Sequence, residues 1–566
     1  MKKLLVMFLL VAVCVSVFAN QKLYMQDSDE IKRLETLFRR GGRAMPAFIY
    51  PVAGSTLVYT VEKSKLADYL SGFESEELDA LIAEFNGSNL INFNEEFGID
   101  PSVEITLSGA FNSGNNYSDD GYARPVDPKK EKPFAKAGVD LKLTNFAFAH
   151  FEYEFSRGAK SYSSAPFVTG IPFIGEYAYN DTAPFKTYLN IGMKNISVSA
   201  GRYRVGSGSG VTGNLATGDN FNFRDTFQLN VAAYPFNYQM MINLFSNEGT
   251  SNFDHPTAAI GGVDRPIVVT HKVSVPIAGI ISLSMYESMM DYSSASPFDL
   301  RILNPFGVLH NTRSYMSGSN NFFGFEVDYA VFKGLSLHIQ TMFDQIQFAD
   351  ERKNPETQVP GAFGILTNAK YSGLVKNRRF NTYLECAYTS PWMYLKTKEE
   401  GYLKDNNKRE YWWYDLVVGN YEKDGLSDPA YLGYKYGPNA IAVGLGGDIE
   451  LEHQKPALNL LFRVNGESGL YTGAGQTDEV QIGGSHVKAA SPYCWIPGHV
   501  PQFLLRVALS DRYKICNDAL EFNATVATVS YFNYQYEKGQ KFTDVFLSFG
   551  FTIDPMKFIK RGNAGK

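Results

Sequence analysis

Charge of either sign is scarce in this chain of 566 residues: Asp, Glu, Lys and Arg make up 20%, with 53 basic against 59 acidic side chains and a net charge of −6. Soluble globular proteins average ~25% charged residues. The near balance leaves no broad basic surface, so no nucleic-acid partner is expected. After residue 19 there is no long hydrophobic run, and the mean hydropathy is −0.20. That excludes a bundle of transmembrane helices, each of which needs ~20 mostly apolar residues. Cysteine is rare as well. Cys14 lies within the amino-terminal apolar run, which continues past it and so does not read as a lipoprotein site; only Cys386, Cys494 and Cys516 follow. An odd number without CxxC spacing indicates neither a disulfide framework nor a zinc site. A Cys494–Cys516 bond stays open, with unpaired cysteines the simpler reading.

Motifs of catalysis are missing too. The histidines at 150, 255, 271, 310, 338, 453, 486 and 499 form no HxxxH or HxH pair, and neither GxSxG nor GxxxxGK[ST] occurs. Gly208-Ser209-Gly210-Val211-Thr212-Gly213 matches GxGxxG but lacks a βαβ context, so it reads as a flexible loop or bend. No enzyme, metal site or cofactor is expected.

Aromatic residues are present in quantity, 42 Phe and 35 Tyr against four Trp, and there are 50 glycines. Disordered chains are aromatic-poor and charge-rich, so this one is ordered. Met1-Lys2-Lys3, the apolar run Leu4 to Phe18 and Val17-Phe18-Ala19 read as a signal peptide over residues 1–19, cleaved before Asn20. Its removal leaves 51 basic against 59 acidic residues, a net charge of −8.

Residues 20–95 read as a small helical segment. Ile31, Leu34, Leu37 and Phe38 share one helical face, with a capping start at Asp27 and Glu30 and a stop at Gly41-Gly42. Leu57 to Leu70 after Ser55, and Leu78 to Phe85 from Ser75, give two more helices. Such short helices make little core alone, so the segment is expected to pack at the mouth of something larger, as a plug whose deletion opens the lumen.

From Val103 the period changes to two. Val103, Ile105, Leu107, Gly109 and Phe111 alternate with Glu104, Thr106, Ser108 and Ala110, and Phe151, Tyr153 and Phe155 alternate with Glu152 and Glu154. Turns at Thr144-Asn145, Lys194-Asn195 and Lys333-Gly334 have hairpin spacing, whereas long polar insertions run from Ser113 to Lys132, Glu248 to Arg265 and Lys396 to Pro429. About 18 strand candidates fit the ~10-residue alternating template. In lipid every backbone N–H and C=O must be paired, so the sheet has to close. The expected fold is an all-β membrane protein, an antiparallel transmembrane β-barrel over residues 96–553. The run Val545, Leu547, Phe549 and Phe551 pairs with the first strand near Val103, and a polar tail follows over 554–566. Such a barrel sits in the outer membrane and needs lipid and the barrel-assembly machinery as partners.

The aromatic residues cluster. Trp392, Trp412, Trp413 and Trp495 fall in two stretches read as loops or strand ends. Tyr411, Trp412, Trp413 and Tyr414, flanked by Arg409 and Asp415, offer stacking faces beside hydrogen-bonding groups, the chemistry of sugar recognition. The competing reading is the aromatic girdle, because amphipathic rings favour the headgroup level.

Several segments together resemble the capsule-assembly Wzi-type outer-membrane family. They are Asp29 to Gly42 with Pro46, Gly201-Arg202 with the Gly-rich stretch and Asp225, and Leu303-Asn304-Pro305-Phe306. Asn320-Asn321 with Gly324, Gln340 to Asp344, Glu385, Tyr388 to Trp392, Leu432-Gly433 and Gly437-Pro438-Asn439 complete the series. The resemblance implies an 18-stranded barrel with a periplasmic helical bundle near its mouth. It also implies a non-catalytic surface lectin that tethers capsular or other polysaccharide. The alternative, a porin for small solutes, shares the fold. A porin requires a charged constriction, whereas a lectin-like barrel requires a filled lumen and aromatic-polar loops.

Overall fold

The computed structural model describes residues 20–87, 91–93, 97–113, 133–156, 185–218, 224–244, 267–291, 304, 319–346, 362–376, 378–391, 393–397, 411–414, 417–423, 426–431, 433–466, 479–482, 485–488, 500–516, 518–534 and 537–558. Residues 1–19, where the signal peptide is read, lie outside this set, as does Cys494. Cys386 and Cys516 are free thiols.

Among the described residues, eighteen antiparallel strands close into one barrel. They are β1 (Gly98–Asn112), β2 (Pro133–Thr144), β3 (Ala147–Ser156), β4 (Phe185–Gly192), β5 (Ile196–Tyr203) and β6 (Arg224–Ala233). Next come β7 (Phe236–Leu244), β8 (Ile267–Ile277), β9 (Ile281–Asp291), β10 (Ser319–Phe332), β11 (Leu335–Gln345) and β12 (Ala362–Val375). The wall ends with β13 (Arg378–Thr389), β14 (Ala440–Glu450), β15 (Ala457–Asn465), β16 (Gln502–Ile515), β17 (Leu520–Phe532) and β18 (Lys541–Ile553). Each strand pairs with its sequence neighbours. The seam joins β18 to β1 from Phe546 opposite Asn112 to Ile553 opposite Ile105.

Alternation explains the wall. In β18, Val545, Leu547 and Phe549 are exposed on the outer face while Asp544, Phe546 and Ser548 are buried in the lumen. Leu107, Phe151, Leu189, Phe325, Ile339, Leu384, Phe462 and Leu509 extend that apolar outer band around the barrel. Such a band is stable only against hydrocarbon, so the wall is a transmembrane one. One end of the barrel carries tight connections, such as 145–146, 193–195, 278–280 and 333–334; the long connections all lie at the other end.

Three helices sit at the short-turn end: α1 (Asp29–Arg40), α2 (Gly54–Ser64) and α3 (Phe73–Phe85). Ser28, rather than Asp27, caps α1, its hydroxyl accepting from Ile31 N–H at 3.3 Å. Asp29 and Glu30 at one end and Arg39 and Arg40 at the other complement the helix dipole. The expected second helix is shorter than its apolar pattern, because Lys65 turns left-handed (φ 53°) and only a 3₁₀ turn, Leu66–Tyr69, continues it. The third begins at Phe73, two residues before Ser75.

The helices do not make a core by themselves. Ile31, Leu34, Leu37, Leu57, Val61, Leu78, Leu81 and Phe85 pack with Tyr24 and with Phe48 and Tyr50 of an arm, residues 44–53, that runs up inside the barrel. Arm residues Ile49–Tyr50 pair with Gly206–Ser207, which belong to the β5–β6 connection.

Candidate functional site

The lumen is filled from both ends. From the short-turn end comes the arm, which polar wall residues hold by its backbone. Gln239 Oε1 accepts from Ile49 N–H at 2.6 Å, Gln228 and Gln239 both donate to the Ile49 carbonyl, and Ser274 donates to that of Ala47 at 2.7 Å. Behind it Lys272 and Glu326 form an ion pair of 2.7 Å, and Lys272 Nζ also donates to Ser207 Oγ. Both charged groups are fully enclosed, which is tolerable only because each has a charged partner and further hydrogen bonds.

From the long-loop end comes the Gly-rich bend. Of the two sequence readings, flexible loop or bend, the described residues form a bend, packed by hydrogen bonds. Glu385, on the lumen face of β13, accepts through Oε1 from Thr212 N–H and the Thr212 hydroxyl, and through Oε2 from Val211 N–H at 2.6 Å and from Asn368 at 3.1 Å. A carboxylate holding two successive backbone amides is an anion nest occupied by the chain's own side chain. Glycine is required twice: a Cβ at Gly210 would run into the Gly213 carbonyl, and Gly213 (φ 137°) lies against the Tyr434 ring. Leu215 N–H then donates to Gln340 at 2.7 Å.

Beyond the bend the lumen is apolar. Leu215, Met290, Phe322, Met342, Leu366, Met393, Tyr394, Tyr434, Leu461, Leu504 and Tyr531 form one buried core inside the barrel. Tyr394 ties it together: its hydroxyl donates to the Leu215 carbonyl at 2.7 Å and accepts from Tyr434 N–H at 2.9 Å. Asp344 accepts from Tyr394 N–H at 2.8 Å. The signal for this core is in the sequence. Phe322-Phe323, Met342-Phe343 and Ile365-Leu366 are apolar on both faces of their strands, which a water-filled lumen would not favour.

The β13–β14 connection carries the predicted sugar site. Tyr411–Tyr414 forms a short strand whose backbone pairs with Leu395–Thr397, with Leu395 opposite Tyr414 and Lys396 opposite Trp413. A hairpin of Val417–Lys423 and Leu426–Tyr431 follows. The side chains of Tyr411, Trp412, Trp413 and Tyr414 lie outside the described set, as do Arg409, Asp415, Trp392 and Trp495. Tyr434 and Tyr436, which also stand out in the sequence, are lumen residues; Arg463 stacks on Tyr436, its guanidinium carbon 4.7 Å from the ring centre.

A cavity of about 1710 Å³ remains between α1 and the walls of β1–β4, β13, β14 and β16, reaching up to Val211. Its charges largely answer one another: Lys22 with Asp140 (2.8 Å), Lys186 with Glu152 (3.1 Å) and Lys455 with Glu450 (3.2 Å). On α1, burial raises the Asp29 carboxyl, but Arg512 and Lys514 outweigh it and hold the group at about 2. On α3, burial and the neighbouring Glu30 push Glu84 up to about 7. Among the described residues no group of three or more His, Cys, Asp or Glu side chains is arranged around a common metal position.

Motif residues of the family resemblance occupy this interior and its rim. Arg202 and Asp225 form a two-pronged ion pair across β5 and β6 (2.6 and 2.8 Å). Glu385, Asp344, Gly433 and Asn439 build or adjoin the lumen closure. Of the LNP motif only Asn304 is within the described residues.

No family model matches the sequence, and no curated protein matches it. Among solved structures the chain is similar to Wzi, an outer-membrane protein involved in group 1 capsule assembly in Escherichia coli and a carbohydrate-binding β-barrel. The identity is 14% and the TM-score 0.54, over 94% of this chain and 99% of that one. Lower similarity links it to OprD of Pseudomonas aeruginosa (8% identity, TM-score 0.38, 81% and 96% covered) and to a BenF-like porin of Pseudomonas fluorescens (8%, 0.39, 81% and 98%). The resemblance to Wzi read from the sequence is thus present in the fold, which is that of outer-membrane barrels.

Proposed function

We propose that this protein is a non-catalytic outer-membrane barrel that attaches capsular or another surface polysaccharide through the β13–β14 connection, with its short-turn end and helices in the periplasm. The observation that carries this reading is the apolar core that packs Leu215, Tyr394 and Tyr434 inside the barrel against the wall from Val268 to Tyr531. A diffusion pore needs a continuous water path, and apolar packing of lumen-facing side chains over half the wall disfavours one. The fold likeness to a carbohydrate-binding barrel supports the same reading.

Sugar contact is assigned to Trp412 and Trp413, with Tyr411 and Tyr414 beside them and Arg409 and Asp415 supplying hydrogen bonds or charge. Aromatic faces stack on the C–H faces of a sugar, while charged groups bind hydroxyls. The test is polysaccharide retention at the cell surface, with single-channel recording of the purified protein alongside. Trp412→Ala/Trp413→Ala is expected to weaken retention per inserted molecule, and the wild type to pass little current. Unchanged retention with reduced insertion identifies the tryptophans as interface anchors and withdraws the loop as the site. A large steady current in the wild type favours the porin reading instead.

A further inference from the structure

The lumen closure and the aromatic strand are joined in a way that the glycan role does not by itself require. Tyr394 is the last residue before Leu395, and Leu395 pairs with Tyr414. One hydroxyl, that of Tyr394, bridges the Leu215 carbonyl and the Tyr434 amide. Both stems of the β13–β14 connection are therefore fastened through this hydroxyl to the segment that continues the Gly-rich bend. That bend is in turn gripped by Glu385 through Val211 and Thr212, and the Thr212 hydroxyl reaches the Tyr434 hydroxyl at 3.0 Å. Tyr394, Tyr434, Leu215 and Glu385 are all fully or almost fully buried, so water cannot substitute for these bonds.

We propose that Glu385 and Tyr394 are positioning residues for polysaccharide binding: through the Gly-rich bend they fix the stems of the β13–β14 connection, so that the lumen seal and the sugar-binding strand form one mechanical unit. This rests on the proposed glycan role of that connection. Its distinctive consequence is coupling. Loosening the bend should lower glycan affinity and raise ion passage together, although Glu385 lies in the lumen wall.

The experiment uses full-length protein reconstituted in planar bilayers and in vesicles. Its probe is labelled surface polysaccharide extracted from the cells that make the protein. Glu385→Gln removes the carboxylate that serves two amides and a hydroxyl; Tyr394→Phe removes only the bridging hydroxyl and keeps the ring. Each is expected to weaken binding about tenfold, the scale of losing hydrogen bonds to a charged or buried group, and to raise the current per molecule. If Trp412→Ala/Trp413→Ala loses affinity while Glu385→Gln and Tyr394→Phe keep both affinity and a closed lumen, the positioning role is overturned and the glycan reading stands. If none of the variants loses affinity, both fall. Should Glu385→Gln fail to insert, Tyr394→Phe decides alone, since it leaves the volume of the core unchanged.

Discussion

Lys272 and Glu326 are a pair of opposite charges enclosed in the lumen wall, 2.7 Å apart. Replacing one partner strands the other. Lys272→Met should cost about 3–5 kcal/mol, and the double variant Lys272→Met/Glu326→Leu should recover most of it, because a buried ion pair is far costlier to halve than to remove. The check is the temperature at which the folded band converts to the unfolded one on gels: lowest for the single variant, close to wild type for the double. The pairing was not legible in the sequence. Alternation puts Lys272 on the polar face of its strand, but 53 residues separate it from the strand residue that answers it. Glu385 was legible as part of a family block and not as the clasp of a Gly-rich bend, because the clasp depends on a backbone path that only packing defines. The stretch Tyr411–Tyr414 stood out by aromatic density as a loop or strand end, but its pairing with Leu395–Thr397 did not.

At the scale of elements, the helical segment carries two groups that titrate in opposite senses: Asp29, paired with Arg512 and Lys514 of the barrel, and Glu84, beside Glu30 of α1. Asp29 is held at about 2, below its ordinary 3.8, by Arg512 and Lys514. Its stabilising contribution is complete above the ordinary value and is lost as the pH falls toward 2. Glu84 is raised to about 7 from 4.5 by burial and Glu30. Its contribution is complete below 4.5 and is lost as the pH rises through 7. Limited proteolysis of the helical segment should therefore accelerate from pH 5 to pH 8, and Glu84→Gln should flatten that profile. An unchanged profile in the variant would assign the effect elsewhere. The periodicity of three helices was readable, as was the Gly41-Gly42 stop. The early end of α2 was not, since Lys65 adopts a left-handed turn that its residue type does not announce.

For the molecule as a whole, the closed wall predicts outer-membrane fractionation and heat-modifiable migration on gels; recovery as a soluble protein would contradict the barrel. The sequence reading made the helical segment a plug whose deletion opens the lumen; the apolar core inside the barrel adds a second obstacle. Every residue of the apolar core lies at or beyond Leu215, so deleting residues 27–86 leaves that closure's own residues in place. Current through the deletion variant should stay low and rise when Glu385→Gln is added. A deletion that conducts freely by itself would make the helices the true seal. Strand number and closure were legible because lipid permits few alternatives to strict alternation. Of the interior, the two-faced apolar strands left a sequence signal, but the arm and the Gly-rich bend did not, because they depend on which connections fold inward.

The arm also constrains the order of assembly. Ile49 and Tyr50 are synthesised before every strand of the wall, yet they finish hydrogen-bonded within it to Gly206–Ser207 and to side chains of β6 and β7. The β1–β18 seam joins residues 105–112 to residues 546–553, so it cannot form until the last strand exists. The earliest part of the chain must therefore wait, either for the sheet to curl around it or to enter through the short-turn mouth once the ring has closed. An arm supplied as a separate peptide after the seam has formed has only the second route, and comparing its docking then with docking when it is present during folding would tell whether that route is open.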